Sequence, residues 1–138
     1  MSESSKKYLA IDYGTKRIGT ALNFAWLAEP YKIIPRENAE KTILQIIEAE
    51  YVDTVVIGIA DGRMADEARA FVSALQKAKP NLAMIEVDES LSSVETHVKL
   101  AKSGMKKSKR ERDIDHYAAA AILQDYLDMT RAGQTESL

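Results

Sequence analysis

A chain of 138 residues, 46% of them hydrophobic, is long enough to bury one core and short for two. It has no cysteine, which excludes a disulfide framework and a thiolate zinc site and suits a reducing, cytoplasmic compartment. The net charge of −2 excludes a uniformly basic nucleic-acid coat, but it conceals a cluster. The window from Lys99 to Arg112 holds seven basic residues and one acid, a local +6 that leaves −8 for the remainder, and cations gathered in this way attract phosphate.

The opening MSESSKKYLA lacks the apolar stretch of a secretory leader, and no apolar run approaches the roughly 18 residues of a membrane span. The expectation is one soluble domain over residues 1–138, with flexible tails at 1–6 and 130–138. Residues 8–12 are apolar and β-prone, and residues 17–23 repeat that character after a Gly-Thr-Lys turn, so the pair reads as a hairpin. PYKIIP, held between Pro30 and Pro35, predicts a short third strand at a sheet edge, because proline cannot donate to a ladder.

Residues 37–50 place Ala39, Ile43, Ile46 and Ile47 at helical spacing, with Asn38 as N-cap. DTVVIGIA is a continuous β-branched run and predicts a central strand buried on both faces. After Asp61-Gly62, residues 65–78 repeat the helical pattern through Ala68, Phe71, Val72 and Leu75; LAMIEV is then a strand ending at Asp88 and Glu89. Residues 91–103 read as a helix stopped by Gly104, the basic stretch as a loop, and the last helix as starting near Ile114 and running through YAAAAILQDYL. This order predicts an α/β fold with a five-stranded mixed sheet flanked by helices, the first strand in the middle. Ligands of open α/β sheets gather at the carboxyl ends of the strands.

Three acids fall where this layout converges: Asp12 after the first apolar run, Glu89 (with Asp88) past the last strand, and Asp115 in the last helix. Asp115 taken alone also reads as a cap or dipole partner, and Asp88 and Glu89 as ordinary strand-to-loop acids. Asp12 differs, because an acid following an apolar run is costly without a cation or donors beside it. Oxygen ligands of this kind suit Mg²⁺ or Mn²⁺. Lys16 and Arg17 beside Asp12, and Lys106, Lys107, Lys109, Arg110 and Arg112 ahead of Asp115, are candidate nucleic-acid contacts. Asp61 is a reserve ligand. His97 and His116 read as helix residues without zinc-site spacing, and Phe24 and Trp26 as apolar anchors for a neighbouring helix or a partner subunit.

IDYGTKRIGTAL, VVIG, DESLSSVET and DIDHYAAAAIL, in this order, resemble the YqgF/RuvX family, described as Holliday junction resolvases and as pre-16S rRNA nucleases. The resemblance covers roughly residues 7–128. It implies an RNase H-like three-layer fold, metal-dependent hydrolysis of phosphodiester bonds, and Asp12, Glu89 and Asp115 as the acidic, metal-holding set. It also implies a part in maturing the 5′ end of 16S rRNA, with pre-rRNA as substrate. The neighbouring readings are a resolvase of four-way DNA junctions, which as a homodimer would set two sites on paired strands, and a non-catalytic nucleic-acid-binding module. The chain departs from the family at Ser90, where relatives carry arginine in Asp-Glu-Arg-Leu, and in a shortened loop within GIADGRMADEA.

Overall fold

The computed structural model describes residues 6–14, 16–59, 62–88 and 107–136, with the backbone path alone for residues 63, 107–116 and 133–136. Five strands form one mixed sheet: β1 (Tyr8–Tyr13), β2 (Arg17–Phe24), β3 (Leu27–Pro35), β4 (Thr54–Ile59) and β5 (Ala83–Asp88). Their spatial order is β3-β2-β1-β4-β5, with β1–β2 and β2–β3 antiparallel and β1–β4 and β4–β5 parallel. The first strand is therefore central and the proline-bearing strand lies at an edge, as the sequence predicts. The helices are α1 (Ala39–Ala49), α2 (Arg63–Ala78) and α3 (Lys107–Glu136).

Alternation along β1 sorts the core into two layers. Leu9 and Ile11, with Ile18, Val55 and Ile57, face α1 and α2 through Ile43, Ile46, Ile47, Ala68 and Leu75. Tyr8 and Ala10, with Ala21 and Val56, face α3 through Ala119, Ile122, Leu123 and Leu127. Small residues on both sides of this second interface let α3 lie close to the sheet. All six residues of β4 are buried, which is why that strand reads as an uninterrupted apolar run.

Four local features depart from the sequence-based expectation. β3 spans nine residues rather than the six of PYKIIP, because a tight turn at Ala25, in the left-handed region (φ 53°), starts pairing already at Phe24–Leu27. Asn38 precedes α1 but gives no side-chain cap; it sits at φ 59°, and its carbonyl accepts from the Thr42 amide at 3.2 Å. α3 begins at Lys107, so residues 107–112 form its first turns and not a loop, as a run of good helix formers without glycine or proline allows. At its other end α3 continues to Glu136, into the segment expected to be frayed. The helix expected at 91–103 lies outside the described residues.

Two buried polar side chains hold the hairpin. Thr20 sits where the β2–β3 register shifts, and its hydroxyl accepts from Lys32 N at 2.9 Å and donates to Lys32 O at 2.6 Å. Asn23 accepts from Tyr8 N at 2.7 Å and donates to Lys6 O and Ala25 O at 2.8 and 2.9 Å. Replacing Asn23 by leucine would keep the branched outline of the side chain and leave the buried Tyr8 amide unpaired. Urea unfolding of Asn23→Leu is expected to show a loss of about 1–3 kcal/mol, given the cost of an unpaired buried group. A loss within measurement error would contradict this account of the hairpin.

Candidate active site at the carboxyl end of the central strand

Asp12 is the fifth residue of β1 and half-buried, on the face covered by α3. Its register partners are Gly19 on β2 and Gly58 on β4. Since register partners share a face of the sheet, the carboxylate stands in a row reading Ile33, Gly19, Asp12, Gly58, Val87. Arg17, two residues before Gly19, lies on the same face one step further towards the strand end, a diagonal neighbour of Asp12.

The turn after Asp12 is tightly built. The Gly14 amide donates to Arg17 O at 3.1 Å, and a Cβ on Gly14 would come within 2.5 Å of that oxygen, so only glycine fits without a backbone shift. Arg36 clamps the turn from outside, its amide donating to Lys16 O at 3.1 Å. The Arg36 guanidinium lies 4.8 Å from the centre of the Tyr13 ring, donates through Nε to the Tyr13 hydroxyl at 3.0 Å and pairs through Nη2 with Glu67 at 2.7 Å. The hydrogen bonds to Glu67 and then to Tyr13 raise the Arg36 pKa against the opposing effect of desolvation, so the cation is lost only above the ordinary arginine range. Tyr13 in turn rests on Phe71 of α2, ring centres 5.1 Å apart. Nothing in the sequence pattern marks Arg36 and Glu67 as partners across 31 positions.

The other expected ligands are placed unequally. Asp88 ends β5, and alternation from Val87 assigns it to the face of α1 and α2, across the sheet from Asp12. It lines a cavity of about 400 Å³ with Ile59, Ala65, Asp66, Arg69 and Glu86 on that side. Asp88 is thus separated from Asp12, and the preference for its neighbour Glu89 rests on sequence alone, because Glu89 lies outside the described residues, as do Asp61, Lys106 and His97. Asp115 is in α3, one turn before Ala119 on the stripe that continues through Ile122, Leu123 and Tyr126. For Lys107, Lys109, Arg110, Arg112 and His116 the helical backbone alone is described. Lys16 and Arg17 are exposed at the turn. Among the described residues, no three acids or histidines are grouped closely enough to hold a metal ion.

Trp26 does anchor the neighbouring helix. It packs against the α3 layer, its carbonyl accepts from Gln124 Nε2 at 2.9 Å, and Arg131 lies over its ring. Phe24 by contrast is 75% exposed.

Set beside solved structures, this architecture is that of the RNase H-like resolvases. Thermus thermophilus RuvC superposes with a TM-score of 0.58 both alone (15% identity, 92% of this chain and 96% of that one) and in complex with a Holliday junction substrate (12% identity, 90% and 96%). At the level of sequence, the family model described as "RuvX: Holliday junction resolvase" matches residues 6–129, and the chain belongs to that family. Two relatives carrying the name "Putative pre-16S rRNA nuclease" come from Maridesulfovibrio salexigens, 34% identical over 88% of this chain and 97% of its own length, and Fusobacterium nucleatum, 35% identical over 91% and 99%.

The clamp on the turn is open to a direct test. Arg36→Met is expected to lower unfolding stability by about 1 kcal/mol or less, as for other partly exposed ion pairs. Amide exchange at Gly14 and Arg36 should nevertheless speed up by roughly an order of magnitude, because local opening no longer breaks the guanidinium contacts. Unchanged exchange would show that the turn is held by its backbone bonds alone.

Proposed function

We propose that the chain is a divalent-metal-dependent nuclease that hydrolyses phosphodiester bonds in RNA and acts in processing the 5′ end of pre-16S rRNA in the cytoplasm. Asp12, Glu89 and Asp115 would hold Mg²⁺ or Mn²⁺, and the bound metal would activate water and stabilise the leaving oxygen. The carrying observation is the half-buried Asp12 carboxylate between two glycines at the carboxyl end of the central strand. A half-buried carboxylate that ends an apolar run suits an oxygen ligand of a hard, partly hydrated cation.

Further support comes from the helix register. Tyr126 meets Tyr8 with ring centres 5.6 Å apart. Asp115 lies eleven residues earlier, about 16 Å along a helix axis, and Asp12 four residues beyond Tyr8, about 13 Å along a strand. The two lengths nearly match, which favours both acids serving one site. The basic residues Lys106, Lys107, Lys109, Arg110 and Arg112 directly precede Asp115 in the chain, and with Lys16 and Arg17 they would track the phosphate backbone. Among the described residues no helix is long and apolar enough to cross a membrane.

The family description favours a second reading, a resolvase of four-way DNA junctions, which would work as a homodimer with one site per cut strand. Side-by-side assays of a pre-16S rRNA 5′ leader and a four-way junction, each with Mg²⁺ or Mn²⁺, separate the two. The expected outcome is metal-dependent cleavage of the RNA, with Asp12→Asn lowering the rate by about 10²-fold or more, as for loss of a group that stabilises transition-state charge. Preferential cutting of the junction would favour the resolvase. Tight binding with no turnover on either substrate would leave a non-catalytic binding module.

A further inference from the structure

Arg36 holds more of the turn after Asp12 than stability requires. It follows Pro35, the register partner of Arg17, and its amide donates to Lys16 O at 3.1 Å. Its guanidinium meanwhile lies over the Tyr13 ring, donates to the Tyr13 hydroxyl at 3.0 Å and reaches Glu67 of α2 at 2.7 Å. A single residue thus grips the turn at its start, Tyr13, and near its end, Lys16. The Gly14 amide closes the same turn from within by donating to Arg17 O.

These contacts add little to global stability, because the Arg36 and Glu67 side chains are 30% and 39% exposed and solvent screens such a pair. What the guanidinium adds is direction. Its N–H groups are fixed in one plane, so the hydroxyl and carboxylate it meets are set relative to each other. Tyr13 and Phe71 lie in the layer of α1 and α2, across the sheet from the Asp12 carboxylate. The Tyr13 side of the grip is therefore applied from the face opposite the candidate site, and the residues it steadies, Lys16 and Arg17, are exposed.

We propose that Arg36 and Glu67 are positioning residues for nucleic-acid binding: they hold the turn from Tyr13 to Arg17 in its bound shape, so that Lys16 and Arg17 meet the phosphates of an RNA strand without their backbone being ordered at the encounter. The inference rests on the reading of Lys16 and Arg17 as phosphate contacts and adds what presets them. Ordering a residue's backbone opposes binding, and a turn already ordered avoids that loss. Glu67 separates this role from simple charge. A carboxylate acting through space repels a phosphate strand, so its removal would tighten binding. A carboxylate that holds Arg36 in place has the opposite effect, and its removal weakens binding.

The test is fluorescence anisotropy of a labelled RNA oligonucleotide from the pre-16S rRNA 5′ leader, titrated over a range of salt with chelator present to prevent cleavage. The proteins are the unsubstituted chain, Lys16→Met, Arg17→Met, Arg36→Met, Arg36→Lys and Glu67→Leu, with circular dichroism to establish folding. Lys16→Met and Arg17→Met are expected to flatten the plot of log affinity against log salt by about 0.7 each, the value for one lost contact to a single strand. Arg36→Met and Glu67→Leu are expected to bind about fivefold or more weakly at every salt concentration with the slope unchanged, the scale of ordering one residue. Arg36→Lys keeps the charge without the planar fork and is not expected to restore affinity. Tighter or unchanged binding by Glu67→Leu, unchanged binding or a flattened slope in Arg36→Met, or full rescue by lysine would each overturn the inference while leaving Lys16 and Arg17 as contacts. If the unsubstituted chain does not bind, or Lys16→Met and Arg17→Met bind as it does, the reading of the turn as a nucleic-acid contact fails and the inference with it. Should the Arg36 and Glu67 variants unfold, ¹⁵N relaxation of the unsubstituted protein carries the test: the Gly14 and Lys16 amides are expected to be as ordered in the free protein as in the RNA complex. A rise in their order on binding would overturn it.

Discussion

Strand register is the constraint on which the site depends. β1 pairs parallel to β4 and antiparallel to β2, and both ladders set a glycine opposite Asp12. A slip of one residue would carry Asp12 to the face of α1 and α2 and bring Ile11 or Tyr13 under α3. The apolar alternation of β1 prevents this, because Leu9 and Ile11 are wholly buried in one layer while Tyr8 and Ala10 fill the other. The core thereby fixes the orientation of the acid.

The two faces serve different ends. Large aliphatic side chains join α1 and α2 to the sheet, whereas alanines alternate with larger side chains where α3 crosses it. The small-residue face thins step by step towards the strand ends, from Ala21-Ala10-Val56 to Gly19-Asp12-Gly58. Outside this face, the Arg36–Tyr13–Glu67 cluster ties the turn after Asp12 to β3 and α2. The charged groups around the turn thus divide between those that hold its shape and those, Lys16 and Arg17, that remain exposed at its surface.

Much of this was legible in the sequence, for physical reasons. Periodicity gave the strands, the burial of β4 on both faces and the two amphipathic helices, because burial on one face or two imposes its own repeat, and the order of the elements put β1 in the middle. Asp12 stood out because an acid after an apolar run needs an explanation that acids at element ends do not. What escaped depended on pairing between distant segments. The start of β3 was set by its hairpin partner, the first turns of α3 were hidden under their charge, and Asn38 begins a helix through its carbonyl rather than its side chain. That Asp88 falls on the opposite face, and that glycines flank Asp12, follow only once the register is known.

The central claim is that Asp12, Glu89 and Asp115 converge on shared cations. A crystal soaked in Mn²⁺ and measured at the manganese absorption edge tests it most directly, because anomalous scattering locates the ion without reference to activity. The account predicts an anomalous peak bounded by carboxylate oxygens of all three residues at the end of β1. A peak elsewhere, or one that Asp12 does not touch, would contradict it.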